Sequence, residues 1–600
     1  MTKVKEKIGR AVFAVSAGIC ILAVVAIFVF LLAKSAPAFA KIGVFNFVFG
    51  DTWLPSSSDS YNAPLSGEYG VFTMIVGTLA TTVGALAFGG VLGYFTAVFL
   101  VFFCPNGLKK VLSSAIGVLA GIPSVVYGFF GVQFLLPILA LFAPNNGAGL
   151  LATSLVLGLM ILPTVVSLSK TSLESVPRAY YEGAVAMGAT HTQAVFKTVV
   201  PAARSGIVAS LVLGVGRALG ETMAVVMIAG NSATYPSGLF GSFRVLTANI
   251  VLEMGYAGEV QEGALVATGV VLLVFVLLVN ILFSLLSARA VKRAVKKTKN
   301  KKSRPRVGMR IRDFFGNLAY RMKSSSIGKG TAIFSGTFTA LTLVCIVGFV
   351  LIKGLPHVTP HFLFGKFVFG SENITIFTSI VTTLMAIALS LAVAVPLGVM
   401  TAIFLHEYTA KENLFVRIVR GAIDILGGVP SIVYGLFGLI TFVRLFGGTS
   451  SILAGGLTVS VMLLPTIVRS TEESLRAVSD SLREGSYALG AGKLRTVFKI
   501  VLPSALGGIL SAIVLAMGRV VSESAPFLYT AGSVIWAMPT SYADNGATLA
   551  VAMYRLAGEG WHTNEAYATA VVLVGIVLIL NLLAGFVAKK LQKKWNGEKR

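Results

Sequence analysis

Apolar residues along this chain gather into long runs separated by short polar stretches. In the first half the runs fall near residues 11–33, 71–103, 112–142, 150–169, 205–230 and 264–287. In the second they fall near 331–352, 376–405, 416–446, 452–468, 505–531 and 567–588. About 20 apolar residues carry an α-helix through the hydrocarbon of a bilayer, where only structures that satisfy their own backbone survive. The pattern therefore predicts an all-α polytopic membrane protein: about twelve transmembrane helices in two six-helix halves, 1–287 and 331–600, joined by a basic linker at 288–330.

The polar stretch between the fourth and fifth runs occurs twice. Glu182 to Pro201 reads EGAVAMGATHTQAVFKTVVP, and Glu484 to Pro503 reads EGSYALGAGKLRTVFKIVLP. Each places helix formers around a central glycine, Gly188 or Gly490, and closes on a proline, the arrangement of a surface helix within a loop. Other segments repeat in the same order. Gly121 to Gly131 (GIPSVVYGFFG) returns as Gly428 to Gly438 (GVPSIVYGLFG), Leu162-Pro163-Thr164 as Leu464-Pro465-Thr466, and Thr81-Thr82 as Thr382-Thr383. Six spans per half preserve orientation, so the halves should relate by a pseudo-twofold axis along the membrane normal, with a pathway between them. The repeated Gly and Pro permit close helix packing and kinks; Ser124, Tyr127, Ser431 and Tyr434 could equally line that pathway as hydroxyl donors.

The fifth run of each half carries charge. Arg217 and Glu221 stand in LVLGVGRALGETMAVVMIA, and Arg519 and Glu523 in IVLAMGRVVSESAPFLYT. An ionised side chain at mid-bilayer costs about 2.5–3.5 kcal/mol on insertion scales, so four of them require a reason. At a spacing of four each Arg and Glu would share one helix face and neutralise each other. Their duplication in both halves favours a shared central site: a guanidinium is a planar fork of donors matched to phosphate-type oxygens, and the neighbouring carboxylate would hold it between passages.

Composition changes this picture little: 56% of residues are hydrophobic, 12% are charged, and mean hydropathy is +0.86. The net charge of +25 is more informative, because a strongly basic chain can bind nucleic acid. Threading the runs alternately puts most of the 49 Lys and Arg on the side that holds both termini and both repeated loops. That is the positive-inside asymmetry of a membrane protein, and it excludes nucleic acid as the partner. Residues 288–330 carry 15 Lys or Arg against one Asp and read as a solvated cytoplasmic tether. Lys3, Lys5, Lys7 and Arg10 precede a first run longer than a secretory h-region, which reads as an uncleaved first helix. Cys20, Cys104 and Cys345 are far apart, and the five His are scattered. A phosphate-binding G-x-x-x-x-G-K-[ST] loop is missing; at Gly490-Ala-Gly-Lys493, Tyr487 replaces its first Gly and Leu494 its Ser or Thr. ATP hydrolysis is therefore expected in a partner, and the chain is read as a transport subunit without catalytic residues, cofactor or metal of its own.

The repeated polar segments, with a glycine six residues after the glutamate and a proline thirteen residues further on, resemble the EAA loops of ABC importer permeases. Ile500 and Leu502 keep the pattern, Thr198 and Val200 depart from it, and Gly183 and Gly485 stand where its first Ala would be. With the GxPSxxYGxFG segments, the GRxxxE helices and Leu246 to Ala257 (LTANIVLEMGYA), nearly the whole chain is similar to the permease subunits of bacterial phosphate ABC importers. The first half resembles the PstC type and the second the PstA type, as a natural fusion. The resemblance implies a type I importer fold in the bacterial inner membrane with both termini cytoplasmic. It also implies a cytoplasmic ABC ATPase homodimer that carries ATP and Mg, and a periplasmic or extracellular phosphate-binding protein. Glu182, Gly183, Gly188, Glu484, Gly485 and Gly490 would dock the ATPase, and Arg217, Glu221, Arg519 and Glu523 would handle inorganic phosphate. Another oxyanion (phosphonate, sulfate, molybdate) is the alternative substrate. An ion-coupled secondary carrier or a membrane scaffold is the alternative class; a carrier has no use for two EAA-type loops, and a scaffold gains little from inserting paired Arg and Glu residues. The outward loops Asn231 to Glu262 and Gly532 to Glu565 are the expected contact with the binding protein and the outer gate.

Overall fold

The computed structural model describes residues 2–143, 146–299, 325–365, 374–409, 414–560 and 562–595. Among them ten helices are long and apolar enough to cross a membrane, or twelve if two sharply bent pairs each count as one span. In the first half these are α1 (Thr2–Ile42), α2 (Phe72–Phe103), the bent pair α3 (Asn106–Gly121) and α4 (Ser124–Ala140), α5 (Leu150–Glu174), α7 (His191–Gly220) and α10 (Glu259–Lys299), with α6 (Arg178–Ala186) in the polar loop between α5 and α7. The short α8 (Met223–Ile228) and α9 (Leu246–Glu253) lie between α7 and α10.

The second half follows the same order. It contains α11 (Ser325–Gly354), α12 (Phe377–Tyr408), the bent pair α13 (Leu414–Gly427) and α14 (Ser431–Val443), and α15 (Ile452–Arg476). Then come α16 (Asp480–Ala488), α17 (Lys493–Ser522), α18 (Ala525–Thr530), α19 (Leu549–Glu559) and α20 (Thr563–Trp595). A two-residue hairpin, β1 (Trp53–Leu54) with β2 (Glu68–Tyr69), decorates the first outer loop. Of the expected linker, residues 300–324 lie outside the described residues, whereas its start continues α10 to Lys299 and its end begins α11 at Ser325.

The third and ninth apolar runs, expected as single spans, turn by 97° and 101° at Gly121–Ser124 and Gly427–Ser431. Pro123 and Pro430 cause the break, since proline donates no N–H and pushes the preceding residue out of the helical region; Ile122 is extended at φ −66°, ψ 129°. A side chain then bolts each corner. The buried Tyr127 hydroxyl donates to the Leu119 carbonyl at 2.8 Å, and Tyr434 to Leu426 at 2.7 Å, each reaching back eight residues across the bend. The glycine after each tyrosine serves packing: a Cβ on Gly128 would meet the Ala224 backbone at 2.9 Å, and one on Gly435 the Pro526 backbone at 3.2 Å. Tyr127→Phe and Tyr434→Phe should each cost about 0.5–1.5 kcal/mol, one buried hydrogen bond, read as a lower apparent melting temperature. An unchanged melting curve in both would remove the bolt.

The loops that follow the fifth span of each half re-enter the protein. After α8 and α18 the chain folds back into α9 and α19, whose Leu246, Ile250, Leu549 and Val551 are fully buried between the halves. Each re-entrant helix is received by a threonine of the second span: Leu246 N–H donates to Thr78 Oγ1 at 3.2 Å, and Leu549 N–H to Thr383 Oγ1 at 2.9 Å. The equivalence is thus Thr78 with Thr383, which corrects the pairing of Thr81-Thr82 with Thr382-Thr383 read from sequence. From the second half, Tyr529 donates to the Ile250 and Val251 carbonyls at 3.2 and 2.9 Å, tying the halves together across the interface.

The halves interlock through their first helices. Helix α1 packs along α12 of the other half, where Cys20 Sγ meets Thr401 Oγ1 at 3.3 Å. Reciprocally, α11 packs along α2, where Thr96 Oγ1 meets Thr339 Oγ1 at 2.8 Å and donates to the Ser335 carbonyl at 3.1 Å.

Candidate functional site

Between the halves lies a cavity of about 620 Å³. Its lining joins Ser124, Arg217 and Glu221 of the first half to Ser431, Arg519 and Glu523 of the second. The elements place them there. Each bent pair delivers its serine at the first residue past the corner, and each Arg lies in the last turn of a long helix, α7 or α17, that ends within the cavity wall.

Arg and Glu were expected on one continuous helix face. Instead the fifth span of each half is broken: α7 stops at Gly220 and α17 at Ser522, and both glutamates are extended, Glu221 at φ −72°, ψ 138° and Glu523 at φ −81°, ψ 133°. The two pairs then differ. Arg519 Nε donates to Glu523 Oε1 at 3.5 Å and Nη1 to Thr466 Oγ1 at 3.4 Å. Arg217 Nη1 donates to Thr164 Oγ1 at 2.9 Å and makes no ion pair with Glu221, whose Oε1 accepts from Ala224 N–H at 3.4 Å. The threonine of each repeated Leu-Pro-Thr triplet is thus the anchor of the adjacent arginine.

Tyr127 and Tyr434 do not line the cavity, because their hydroxyls are engaged at the corners. Residues that sequence reasoning passed over do: Asn280, Thr222, Ser524, and the Asp424–Arg469 ion pair, whose side chains are 64% and 47% exposed. Asn280 had a visible signal, a lone amide in the apolar run 264–287. Asp424 and Arg469 had a weaker one, since they sit at the polar edges of runs and have no charged counterpart in the first half.

On α6 and α16, Glu182, Gly183, Glu484 and Gly485 are exposed, with nothing near Gly183 or Gly485 to oppose a β-carbon. Gly188 and Gly490 adopt φ +85° and +78°. Gly188 N–H bonds the Val185 carbonyl and Ala189 N–H the Ala184 carbonyl; Gly490 and Ala491 repeat this on Tyr487 and Ser486. This double closure needs a left-handed residue, so these glycines end the helices rather than merely leaving room for a partner. The stop holds one apolar side chain outward on each side, Met187 at 86% and Leu489 at 90% exposure.

The two helices are moored differently. In the second half Arg483 is buried, donating from Nε and Nη2 to Glu407 Oε1 at 3.1 and 2.9 Å and from Nη1 and Nη2 to the Val478 and Leu475 carbonyls at 2.7 and 2.8 Å. In the first half Tyr181 takes that position, its hydroxyl 2.7 Å from His191 Nδ1, with His191 Nε2 at 3.1 Å from the Phe102 carbonyl. In the loop after α18, Asp544 accepts from the Ser541 and Thr540 N–H groups and the Thr540 hydroxyl, which hold its carboxyl below the usual range. Among the described residues no group of three His, Cys, Asp or Glu is placed to hold a metal ion.

Comparison with known proteins agrees with this architecture. The phosphate transport system permease protein PstA homolog of Mycoplasma pneumoniae is 30% identical over 520 residues, covering 77% of each chain and so both halves. The probable ABC transporter permease protein YqgH of Bacillus subtilis is 40% identical over 286 residues, 47% of this chain and 90% of that one. The phosphate transport system permease protein PstC of Haemophilus influenzae is 35% identical over 286 residues, 44% and 90% of the two chains. The description of binding-protein-dependent transport system inner membrane components matches residues 89–292 and again 394–597. Carrying that unit twice around one charged cavity, this chain belongs to the inner membrane components of binding-protein-dependent transport systems, as a fused two-half permease.

Proposed function

We propose that the chain forms the membrane pathway of an ATP-driven importer of inorganic phosphate. The observation that carries this reading is the cavity, where two arginines, two glutamates and two serines from equivalent positions of both halves converge. Guanidinium forks suit a tetrahedral oxyanion, and relatives that span one or both halves are named as phosphate transport permeases. Residues 1–287 and 331–600 are the two permease halves and 288–330 the tether. Positive charge favours the cytoplasm, so both termini, α6 and α16 lie on the cytoplasmic side of a bacterial membrane. The cavity then reaches toward the cytoplasm through Asp424 and Arg469, while α9, α19 and Tyr529 seal the outer side where a phosphate-binding protein would deliver its cargo.

Two copies of an ABC ATPase, carrying ATP and Mg, would dock on α6 and α16. Met187 and Leu489 supply the apolar knobs of these contacts, as exposed apolar residues at the tips of the two helices. Met187→Asp and Leu489→Asp together should reduce transport-coupled ATP hydrolysis about tenfold or more, since a buried hot spot is worth about 2 kcal/mol. Coupled hydrolysis measured in reconstituted vesicles at the wild-type rate would exclude these knobs. The function itself is tested by co-reconstituting the chain with its ATPase and binding protein. Phosphate uptake that requires ATP supports the reading, and uptake that follows an ion gradient without the ATPase overturns it.

A further inference from the structure

The cavity has an unexpected charge balance. Its lining contains Arg217, Arg469 and Arg519 against Glu221, Asp424 and Glu523, so positive and negative side chains are equal in number. Such a lining does not concentrate anions by net charge, and each bare carboxylate repels a fully deprotonated oxyanion placed beside its arginine. Two of the three carboxylates are occupied, Glu523 by Arg519 and Asp424 by Arg469. Glu221 is not: it lies within the field of Arg217 but among the described residues forms no ion pair, and it accepts from the Ser124 hydroxyl and the Ala224 N–H.

Resting on the reading of this cavity as the anion pathway, we propose that Glu221 selects oxyanions that still carry a proton. The O–H of hydrogen phosphate donates to the Glu221 carboxylate while its bare oxygens accept from Arg217. An ionised carboxylate only accepts hydrogen bonds, so an anion of the same shape and charge without a proton finds repulsion where hydrogen phosphate finds a bond. No bond is made or broken and no proton changes owner. Because Thr164 takes only Nη1 of Arg217, the rest of the guanidinium remains for the anion.

Sulfate and monofluorophosphate are the matched probes. Both are tetrahedral dianions like hydrogen phosphate and neither has an O–H at the pH where hydrogen phosphate predominates. Equilibrium binding of labelled phosphate to the purified full chain, with each of the other two as competitor, should show phosphate preferred about tenfold or more, the worth of one charge-assisted hydrogen bond. Glu221→Gln presents an amide that donates as well as accepts, so phosphate should weaken, sulfate should strengthen, and the three should fall within about threefold of one another. Equal binding of all three anions by the unmodified chain overturns the proposal even if the Gln variant does not fold, and so does a preference that survives Glu221→Gln. The underlying pathway reading fails separately: phosphate that does not bind the unmodified chain, or that binds Arg217→Gln as tightly, removes the anion site itself.

Discussion

Replacing Arg217 by glutamine is expected to lower phosphate uptake about a hundredfold while leaving the protein nearly as stable as before. The loss is that of a forked contact made of two charge-assisted hydrogen bonds, about 1.5 kcal/mol each. Stability should fall less than on breaking a contact pair, because this guanidinium acts on Glu221 and Glu523 only through space and its protein hydrogen bond goes to Thr164. Arg519→Gln should behave otherwise. It leaves Glu523 without its partner, so apparent melting temperature and uptake should fall together. Exchanging the charges, Arg217→Glu with Glu221→Arg, should not restore flux, because position 221 lies beyond the end of α7 and a guanidinium there starts from different backbone geometry. Uptake into reconstituted vesicles, measured beside thermal unfolding, separates these outcomes. Near-normal flux in the exchanged protein would reduce the pair to a structural staple.

The second large effect is expected at Arg483. Arg483→Gln strands Glu407, which is only 7% exposed, and frees the Leu475 and Val478 carbonyls that close α15 and lead into α16. Removing one partner of a buried pair costs about 3–5 kcal/mol, which should lower the apparent melting temperature and, on the docking proposed above, weaken the hold of α16 on the ATPase. Tyr181→Phe, at the equivalent position of the first half, removes a single hydrogen bond and should cost about 0.5–1.5 kcal/mol. The contrast is measured by melting and by ATPase stimulation for both variants. Equal effects would mean that α6 and α16 are moored alike, against the geometry.

The sequence makes much of this legible because membrane constraints are strong. Long apolar runs must become helices, and the exact recurrence of GxPSxxYG, GRxxxE and E-x-x-x-x-x-G predicts two equivalent halves and a shared central site; one cavity is lined by residues of both halves. Hydropathy is blind to direction within a run. It does not distinguish a straight span from two helices at a right angle, so Pro123 and Pro430 had to be read as corners rather than kinks. It is equally blind to breaks inside a run, and the ends of α7 and α17 leave Glu221 out of contact with Arg217 while Glu523 still reaches Arg519. Tyr127 and Tyr434 illustrate a different limit: a tyrosine hydroxyl that recurs with a motif serves a pathway or a fold equally well until its acceptor is known. Asp424 and Arg469 escaped notice because repeats reveal what the halves share, whereas these two belong to one half alone.

The crossing of α1 onto α12, and of α11 onto α2, has a consequence for biogenesis. During synthesis the first half leaves the ribosome with α1 still lacking the surface that buries Cys20 and with the Thr96 face of α2 uncovered, since their partners are encoded several hundred residues later. Neither half can complete its packing as an isolated unit, although domains generally fold in order as they emerge. Assembly must therefore pass through a stage at which the unfinished first half waits in lipid with its polar contacts unpaired. Fusing both halves in one polypeptide keeps the missing partner at high local concentration when that stage is reached, in equal stoichiometry and without a search across the membrane.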